Sequence, residues 1–475
     1  MKIYNILIVI AAQLTAFGKA PEFAPVFNNG MVLQQGRELT ICGKAKPNEK
    51  LSLEFASSKI SGKAGNDGRW FLKLPAQKAT STPQTMTLTG EYGVRKLNDI
   101  LVGEVWLCSG QSNMYWPLER SLNGKEIAAQ SNYPSIRILR VIANPADVPQ
   151  EKLTARWRKM QPKVAAGMSA VAFYFGRKLH QELKVPIGLI CSHRGATMIE
   201  PWTPAGAWDV YPEMRDRVYT QFGKVPNPKS KSSKELPQNQ PHVLYNGAIH
   251  PLTPYAIRGV IWYQGCSNVR YDSQEDYLKK QQALFNSWKN MFNNPTMKFY
   301  TVQIAPLNRS QKESAAHVDI WLAQQRFADF NQPNVKLVIT NDVGDLKNIH
   351  PENKEPVGLR LANLALKYDY DKDIPADFPR VLNGEVKNET VRLAFSFVKF
   401  WKTTDQGEIR NFEIAGPDGK YMSAQVKAEG KYLILTAPGV SNPESVRYLY
   451  TSSRLGNLIN EEGLPLGTFE MTLKQ

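Results

Sequence analysis

A serine at a predicted strand-to-helix turn is the residue of this sequence best suited to act as a nucleophile. Ser112 lies in Gly103-Glu-Val-Trp-Leu-Cys-Ser-Gly-Gln-Ser-Asn-Met114. Residues 105–108 predict a buried strand, Ser109-Gly110 a tight turn, and the residues from Gln111 onward a helix. Helix N–H groups at such a turn favour a developing negative charge, which suits a nucleophile. The alternative is that Ser112 is only a helix N-cap, the usual role of a serine there.

A nucleophilic serine needs a base, and histidine is the usual one. Of the six histidines, His350 lies in Asn341-Asp-Val-Gly-Asp-Leu-Lys-Asn-Ile-His-Pro351, between a predicted strand and a helix. Ligands of open α/β sheets bind at the carboxyl ends of the strands. We therefore expect His350 on the same edge as Ser112, with His250 as the second candidate.

Two further strand ends offer groups that could bind an oxyanion. Gly195 lies in Cys191-Ser-His-Arg-Gly-Ala-Thr197, and Gln264 and Asn268 lie in Trp262-Tyr-Gln-Gly-Cys-Ser-Asn268. A backbone N–H in a glycine turn or a side-chain amide can serve as the donor. Taken singly, Gly195 is equally well explained as a plain turn glycine, and Asn268 as a turn or cap residue. Together they place the parts of an acyl-transfer site at four strand ends.

The sequence predicts an α/β protein with a β region at each end. Residues 21–100 show short, regularly spaced strands that indicate a β-sandwich domain. Residues 101–372 alternate strands with helices, which predicts a parallel sheet flanked by helices. Residues 373–475 return to short strands and predict a second β-sandwich. The Pro-, Lys- and Ser-rich segment 204–242 is expected to be a surface loop, with a lid over the substrate as the alternative.

Several helices of the middle segment are predicted from the periodicity of their apolar residues. Ser169 is expected to cap a helix, and residues 276–291, 321–330 and 354–367 are also predicted to be helical.

The first 20 residues predict a cleavable signal peptide. Met1-Lys2 supplies a positive start, residues 3–17 are largely apolar, and small residues precede a cut after Gly18 or Ala20. The apolar span is too short for a transmembrane helix. A buried first strand is the alternative, but the pattern favours secretion or export to the periplasm.

Charge and cysteine content exclude several other classes. The 475 residues carry a net charge of +16, but Lys and Arg are spread along the chain without long runs. The charge is therefore interpreted as a surface property, and no nucleic-acid partner is predicted. Four cysteines are too few for a disulfide scaffold and lack the spacing of a zinc site. No metal or cofactor is predicted.

These blocks together resemble a known family. The sequence is similar to the SGNH (GDSL-like) hydrolase superfamily and, more narrowly, to the sialate O-acetylesterase family of carbohydrate esterases. The likeness extends over nearly the whole chain after the signal peptide. The segments that carry it are Gly110-Gln-Ser-Asn-Met114, Gly195-Ala-Thr197, Trp262-Tyr-Gln-Gly265 with Ser267-Asn268, and Asp345 through Ile349-His-Pro351.

The resemblance implies an SGNH-hydrolase-like sheet and a serine esterase mechanism without a cofactor. Ser112 would attack an acetyl carbonyl on a sugar hydroxyl, and His350 would take and return the proton. The backbone N–H groups of Ser112 and Gly195 and the Asn268 amide would hold the oxyanion. The residues given supporting or substrate-binding roles are Gln111, Gln264 and Asn348.

The sequence departs from the family pattern around the base. Lys347 stands where the superfamily often has an aspartate, and Asn348 stands where this family tends to have one. Asp345 could orient the imidazole only if the loop curls back. Cys266 replaces a common glutamate, and Ala196 replaces a second glycine.

Three functional hypotheses follow. The first is a secreted esterase that removes O-acetyl groups from carbohydrates, above all from sialic acids. The second is an acetyl-xylan or other glycan acetylesterase. The third, of another class, is a weakly active or non-catalytic glycan-binding relative.

Overall fold

The computed structural model describes residues 19–222 and 237–473. The predicted signal peptide, residues 1–20, falls almost entirely outside these ranges, as does the middle of the Pro-rich segment. Within the described ranges, no helix is long and apolar enough to span a bilayer.

The first eight strands form two facing groups in the N-terminal region. They are β1 Glu22–Phe23, β2 Val32–Gln34, β3 Leu39–Lys44, β4 Lys50–Phe55, β5 Ser58–Lys63, β6 Arg69–Leu74, β7 Thr80–Gly90 and β8 Gly93–Gly110. One sheet has the order β1-β3-β6, and β5, β4, β7 and β8 pair in the other. On β6, Trp70, Leu72 and Leu74 are buried and the residues between them are exposed. This alternation is that of a sheet with one face on a core, in agreement with the predicted β-sandwich.

The central sheet continues from the second half of β8. Its other strands are β9 Tyr133–Ile142, β10 Trp157–Met160, β11 Ile187–His193, β12 Gly259–Tyr263, β13 Lys298–Val302 and β14 Val335–Val338. The order is β10-β9-β11-β8-β12-β13-β14, and every pair is parallel except β10 with β9. The predicted parallel sheet is confirmed for six strands. The antiparallel edge strand β10 was not predicted, because four residues are too few to show a strand period.

Helices flank the central sheet. They are α1 Ser112–Tyr115, α2 Gly124–Ala129, α3 Pro162–Ala166, α4 Ala170–Leu183, α5 Pro212–Phe222, α6 Gln274–Met291, α7 Gln311–Phe330 and α8 Glu355–Asp369. Helix α4 packs on α8, and α6 packs on α7. The predicted cap of α4 is confirmed, since the Ser169 hydroxyl accepts a hydrogen bond from the Ala172 N–H at 3.1 Å. Helix α7 begins ten residues before its predicted start.

The Pro-rich segment is not a plain loop. A short 3-10 turn, Ala205–Trp208, and helix α5 occupy much of its first half. Trp208, Met214 and Val218 are buried in a small apolar cluster with Met198, which follows β11. The prediction of a surface loop is therefore wrong for this part, because these apolar residues anchor it to the body of the protein.

Antiparallel sheets form the C-terminal region. The strands are β15 Arg380–Lys387, β16 Thr390–Ser396, β17 Trp401–Thr403, β18 Phe412–Ala415, β19 Tyr421–Ser423, β20 Gln425–Glu429, β21 Tyr432–Thr436, β22 Ser445–Tyr448, β23 Leu458–Asn460 and β24 Phe469–Thr472. They pair in the orders β15-β16-β21-β20, β17-β23 and β19-β18-β22-β24. Asn341, at the start of the loop that carries His350, donates to Leu466 O at 2.7 Å and accepts from Gly456 N–H at 3.0 Å. The C-terminal region thus braces that loop.

Strand β8 belongs to both the N-terminal and the central sheet. Its first half pairs with β7 and its second half with β11 and β12, so the predicted border between residues 100 and 101 falls within this strand. Glu104 lies just after this border and is fully buried. Its carboxylate accepts two hydrogen bonds from the Arg258 guanidinium, both at 2.9 Å, and one from the Tyr370 hydroxyl at 2.9 Å. Gln34 and Gln35 of the N-terminal region also donate to it.

Removal of the Glu104 carboxylate should destabilise the fold strongly. We expect Glu104→Ala to lower the free energy of unfolding by about 3–5 kcal/mol, because the four side chains that donate to this carboxylate then lose their buried acceptor. Urea unfolding measures this. The control is Glu385→Ala, whose side chain is 67% exposed, and which should change stability by no more than about 0.5 kcal/mol. Equal losses of stability from Glu104→Ala and Glu385→Ala would contradict this stabilising role of Glu104.

Candidate active site

Ser112 stands at the first position of helix α1, directly after the end of β8. Gly110 has φ +134°, and a Cβ there would come within 2.3 Å of Tyr263 O, so only glycine fits. The buried Gln111 side chain accepts a hydrogen bond from the Gly265 N–H at 2.9 Å, which ties this turn to the end of β12. The helix cap position is Gln111, and no side chain caps it. The alternative that Ser112 is merely a cap is therefore wrong.

Gly195 lies against Ser112. The register of β8 and β11 pairs Gly110 with His193, and the Arg194 N–H donates to Gly110 O at 3.0 Å. A Cβ on Gly195 would lie 3.5 Å from the Ser112 Cβ. In the described residues, neither the Ser112 nor the Gly195 N–H donates to a protein acceptor. Both groups are therefore free to bind an oxyanion. Because α1 has only four residues, its dipole adds little to these two donors.

The Asn268 amide is not free to do the same. Its Nδ2 donates to Asp272 at 2.7 Å and to Glu200 at 3.3 Å, so both hydrogens of the amide are engaged. Its Oδ1 accepts from the Gln264 amide at 2.7 Å. The Asp272 and Glu200 carboxylates and the Asn268 and Gln264 amides are all buried. The Lys280 ammonium donates to both carboxylates. Contrary to the predicted oxyanion role, Asn268 and Gln264 belong to an internal hydrogen-bond network. The reason is that the buried carboxylates of Asp272 and Glu200 accept both amide hydrogens of Asn268.

His350 lies in the loop between β14 and α8 and is half-buried. The two side chains predicted as possible orienting groups face the backbone instead of the imidazole. Asn348 Oδ1 accepts from the His350 backbone N–H at 2.9 Å, and Asp345 Oδ1 accepts from the Lys347 N–H at 2.9 Å. The imidazole instead stacks on Trp116, with ring centroids 5.0 Å apart and planes at 17°. Sequence reasoning missed Trp116, since no pattern ties it to His350.

The Asn113 side chain connects the serine to the histidine. Asn113 is fully buried, and its Nδ2 donates to Ile349 O at 2.9 Å. Lys354 donates to Asn113 Oδ1 at 2.5 Å. Asn113, which follows Ser112, is thus hydrogen-bonded to Ile349, which precedes His350. No direct hydrogen bond between the Ser112 hydroxyl and the imidazole is present in the described part of the chain, and such contacts often tighten only when substrate binds.

The electrostatics of the site are set by burial and positive charge. Burial lowers the pKa of His350, and the positive charges of Lys354 and Arg120 lower it further. Lys354 is itself buried, and burial lowers its pKa to about 7, while Cys266 acts in the opposite direction. The imidazole therefore has two cationic neighbours, and in the described residues no carboxylate is hydrogen-bonded to its ring.

The remaining histidine candidates lie apart from this arrangement. His250 Nδ1 contacts Gln150 O at 2.9 Å, and the ring lines a groove with Phe71 and Glu151. His193 is paired with Gly110 at the end of β11, and its ring packs beside Tyr115, with centroids 5.2 Å apart. In the described ranges no group of three or more His, Cys, Asp or Glu residues is arranged to hold a metal ion.

The buried lysine should make stability depend on pH. Between pH 7 and 10.5 the unfolded chain holds a proton on Lys354 that the folded chain has lost, so this group makes stability rise with pH in that window. Below pH 7 Lys354 is protonated in both states, so the free-energy cost of burying its ammonium group is fully present. We expect the stability difference between the wild type and Lys354→Met to shift in favour of the wild type from pH 7 to 10. Urea unfolding at several pH values tests this, with exposed Lys312→Met as the control. Parallel curves for wild type and Lys354→Met would contradict it.

Comparison with known proteins identifies the family. Residues 102–367 match the family model described as "Carbohydrate esterase, sialic acid-specific acetylesterase". The chain is 30% identical to the human sialate O-acetylesterase over 373 residues, covering 71% of this chain and 69% of that protein. It is 29% identical to the Rattus norvegicus sialate O-acetylesterase over 450 residues, covering 82% of each.

A solved structure agrees with this match. The carbohydrate acetylesterase XAC1771 from Xanthomonas citri superposes with a TM-score of 0.85 at 27% identity, covering 95% of this chain and 99% of that one. The resemblance inferred from the sequence motifs is thereby confirmed. The chain belongs to the sialic acid-specific acetylesterase family of carbohydrate esterases.

Proposed function

We propose that this carbohydrate O-acetylesterase removes acetyl groups from O-acetylated sialic acids through an acetyl-enzyme on Ser112. The observation that carries the proposal is the convergence at one sheet edge. The Ser112 side chain adjoins two free backbone N–H groups and is tied through Asn113 to the loop of His350. That arrangement supplies a nucleophile, oxyanion donors and a base, which is what acyl transfer requires.

The steps follow from these positions. Ser112 Oγ attacks the acetyl carbonyl carbon while neutral His350 takes the hydroxyl proton. The backbone N–H groups of Ser112 and Gly195 hold the oxyanion of the tetrahedral intermediate. The intermediate collapses as His350 returns the proton to the departing sugar oxygen. Water, deprotonated by His350, then attacks the acetyl-enzyme, and acetate leaves with the Ser112 hydroxyl restored.

Three arginines beside the site support an anionic sugar. Arg194 adjoins Gly195 and donates to Ala143 O at 2.7 Å, Arg120 lies 4.4 Å over the Trp116 ring, and Arg140 lies 5.9 Å from the Tyr115 ring. Among the described residues, none of these guanidinium groups forms a salt bridge with a carboxylate. A sialic acid carboxylate gives such cations a partner, since guanidinium binds carboxylate well. The neutral backbone of xylan offers nothing equivalent, which makes acetyl-xylan the second candidate.

Replacement of the nucleophile tests the enzymatic proposal. Purified protein is incubated with O-acetylated sialic acid, acetyl-xylan and p-nitrophenyl acetate, and acetate release is measured. Ser112→Ala should lower turnover of every accepted substrate by about a thousandfold or more. Binding of glycan without any acetate release above that of Ser112→Ala would favour the non-catalytic relative instead.

Removal of one arginine tests the substrate. Arg140 is exposed, and Arg140→Gln should raise KM for O-acetylated sialic acid by about tenfold, or about 1.4 kcal/mol. It should leave p-nitrophenyl acetate hydrolysis unchanged. Arg158→Gln on the neighbouring strand β10 removes another exposed arginine and is the matched control. A wild type that prefers acetyl-xylan would move the substrate assignment to neutral glycans.

Export is part of the same proposal. The N-terminal pattern of residues 1–20 supports a secreted or periplasmic location. Mass spectrometry of protein from the culture medium or periplasm should find an N-terminus at Lys19 or Pro21. Recovery of only the full-length chain from the cytoplasm would contradict export.

A further inference from the structure

The imidazole of His350 is held without an acidic partner. Asn348 and Asp345 were the candidates to orient it, and the Oδ1 atom of each accepts from a backbone N–H instead. Across the described ranges, no side chain or carbonyl forms a hydrogen bond with the ring. A base that must abstract and return a proton still needs a fixed orientation. Something other than a hydrogen bond must therefore set it.

Trp116 is built as a rigid surface for this ring. Its indole N–H donates to Arg120 O at 3.0 Å, and the Arg120 guanidinium lies 4.4 Å over the indole. Its backbone is fixed at both ends, because Trp116 N–H donates to Ser112 O at 2.9 Å and Ala170 N–H donates to Trp116 O at 2.8 Å. The indole therefore has little freedom to move relative to Ser112.

The stacked geometry limits the motion of the imidazole. The planes of Trp116 and His350 are nearly parallel, which restricts rotation of the imidazole. The indole also shields the ring from water, and burial is the main cause of its lowered pKa. The bond from Asn113 to Ile349 O fixes the backbone next to the base. Residues 112–116 thus hold both the imidazole ring of His350 and the backbone next to it.

We propose that Trp116 is the positioning residue for His350 and takes the place of the orienting carboxylate of a catalytic triad. This inference rests on the proposed serine esterase function. In this proposal the nucleophile, Ser112, and the residue that orients the base, Trp116, lie only four residues apart. The indole acts through contact with the imidazole, and it need not touch the substrate.

Kinetics of two variants test the proposal with p-nitrophenyl acetate. Trp116→Leu should lower kcat by about 10- to 100-fold with little change in KM, because a loosely held base is misplaced. The acid limb of the pH profile should also move up toward pH 6.5, because the exposed imidazole regains hydration. Trp116→Phe keeps an aromatic face and should recover much of kcat. A Trp116→Leu protein with wild-type kcat and an unmoved acid limb would overturn the proposal.

Two controls sharpen the comparison. Tyr92→Leu removes an exposed aromatic ring that is also paired with a cation, Lys46, but in the N-terminal region, and should leave kcat and the pH profile unchanged. The second variant, Asn348→Asp, introduces the acid that this family tends to have at the position, and it should give no large gain in kcat at pH 8, because the side chain faces the backbone. A large gain in kcat from Asn348→Asp would show that the wild type lacks an effective positioning group, and would overturn the assignment to Trp116.

A measurement without turnover separates this inference from the proposed function. NMR titration of His350 in Ser112→Ala reports the pKa of the imidazole, and addition of Trp116→Leu should raise it. If the wild type proves inactive but this shift is found, the esterase function fails while the stacking contact stands. If the wild type is active and the titration is unchanged by Trp116→Leu, only the positioning role is overturned.

Discussion

The hydrogen bonds of one buried asparagine hold the candidate active site together. Asn113 donates to Ile349 O and accepts from Lys354, and so joins the turn after β8 to the loop after β14. These segments are more than 200 residues apart in the chain and are not paired strands of the sheet. The cost of leaving a buried amide or ammonium unpaired makes this bridge specific. The spatial relation of Ser112 to His350 depends on it.

This way of holding the base has consequences for its chemistry. A triad carboxylate orients the imidazole and also stabilises the imidazolium that forms. Here the neighbouring charges are positive, and burial together with Lys354 and Arg120 lowers the pKa of His350. The base is therefore neutral, and ready to accept a proton, down to a lower pH than an ordinary histidine. A lowered pKa also makes the imidazole a weaker base, which the proposed placement of the ring by Trp116 would offset.

The β regions contribute to the site through the rigidity of the elements that they share with it. Strand β8 runs from the N-terminal sheet into the middle of the central sheet and ends at the turn before Ser112. The buried Glu104 network fixes this strand where it changes sheets. The C-terminal region accepts a hydrogen bond from Asn341 and so steadies the loop of His350. Ser112 and His350 are therefore each supported by a different β region.

The sequence by itself determined the fold class and the main chemical groups. Periodicity and turn residues identify the strand-turn-helix around Ser112, the alternation of strands and helices, and the cap at Ser169. Parallel connection then requires the strand ends to meet at one edge, which is why Gly195 was expected beside Ser112. These inferences succeed because they depend on local propensity and on the rules of sheet connection.

Only the tertiary structure decided what each side chain contacts. The Asn268 amide could have faced Ser112, but the buried carboxylates of Asp272 and Glu200 engage both of its hydrogens. Asn348 and Asp345 turn to the backbone, while Trp116 meets the imidazole. Strand β10 and helix α5 were likewise missed or misassigned. Some of these partners are distant in sequence, as Glu200 is from Asn268 and Trp116 is from His350, and others are only two to four residues away. In neither case does composition or spacing specify the direction of a side chain.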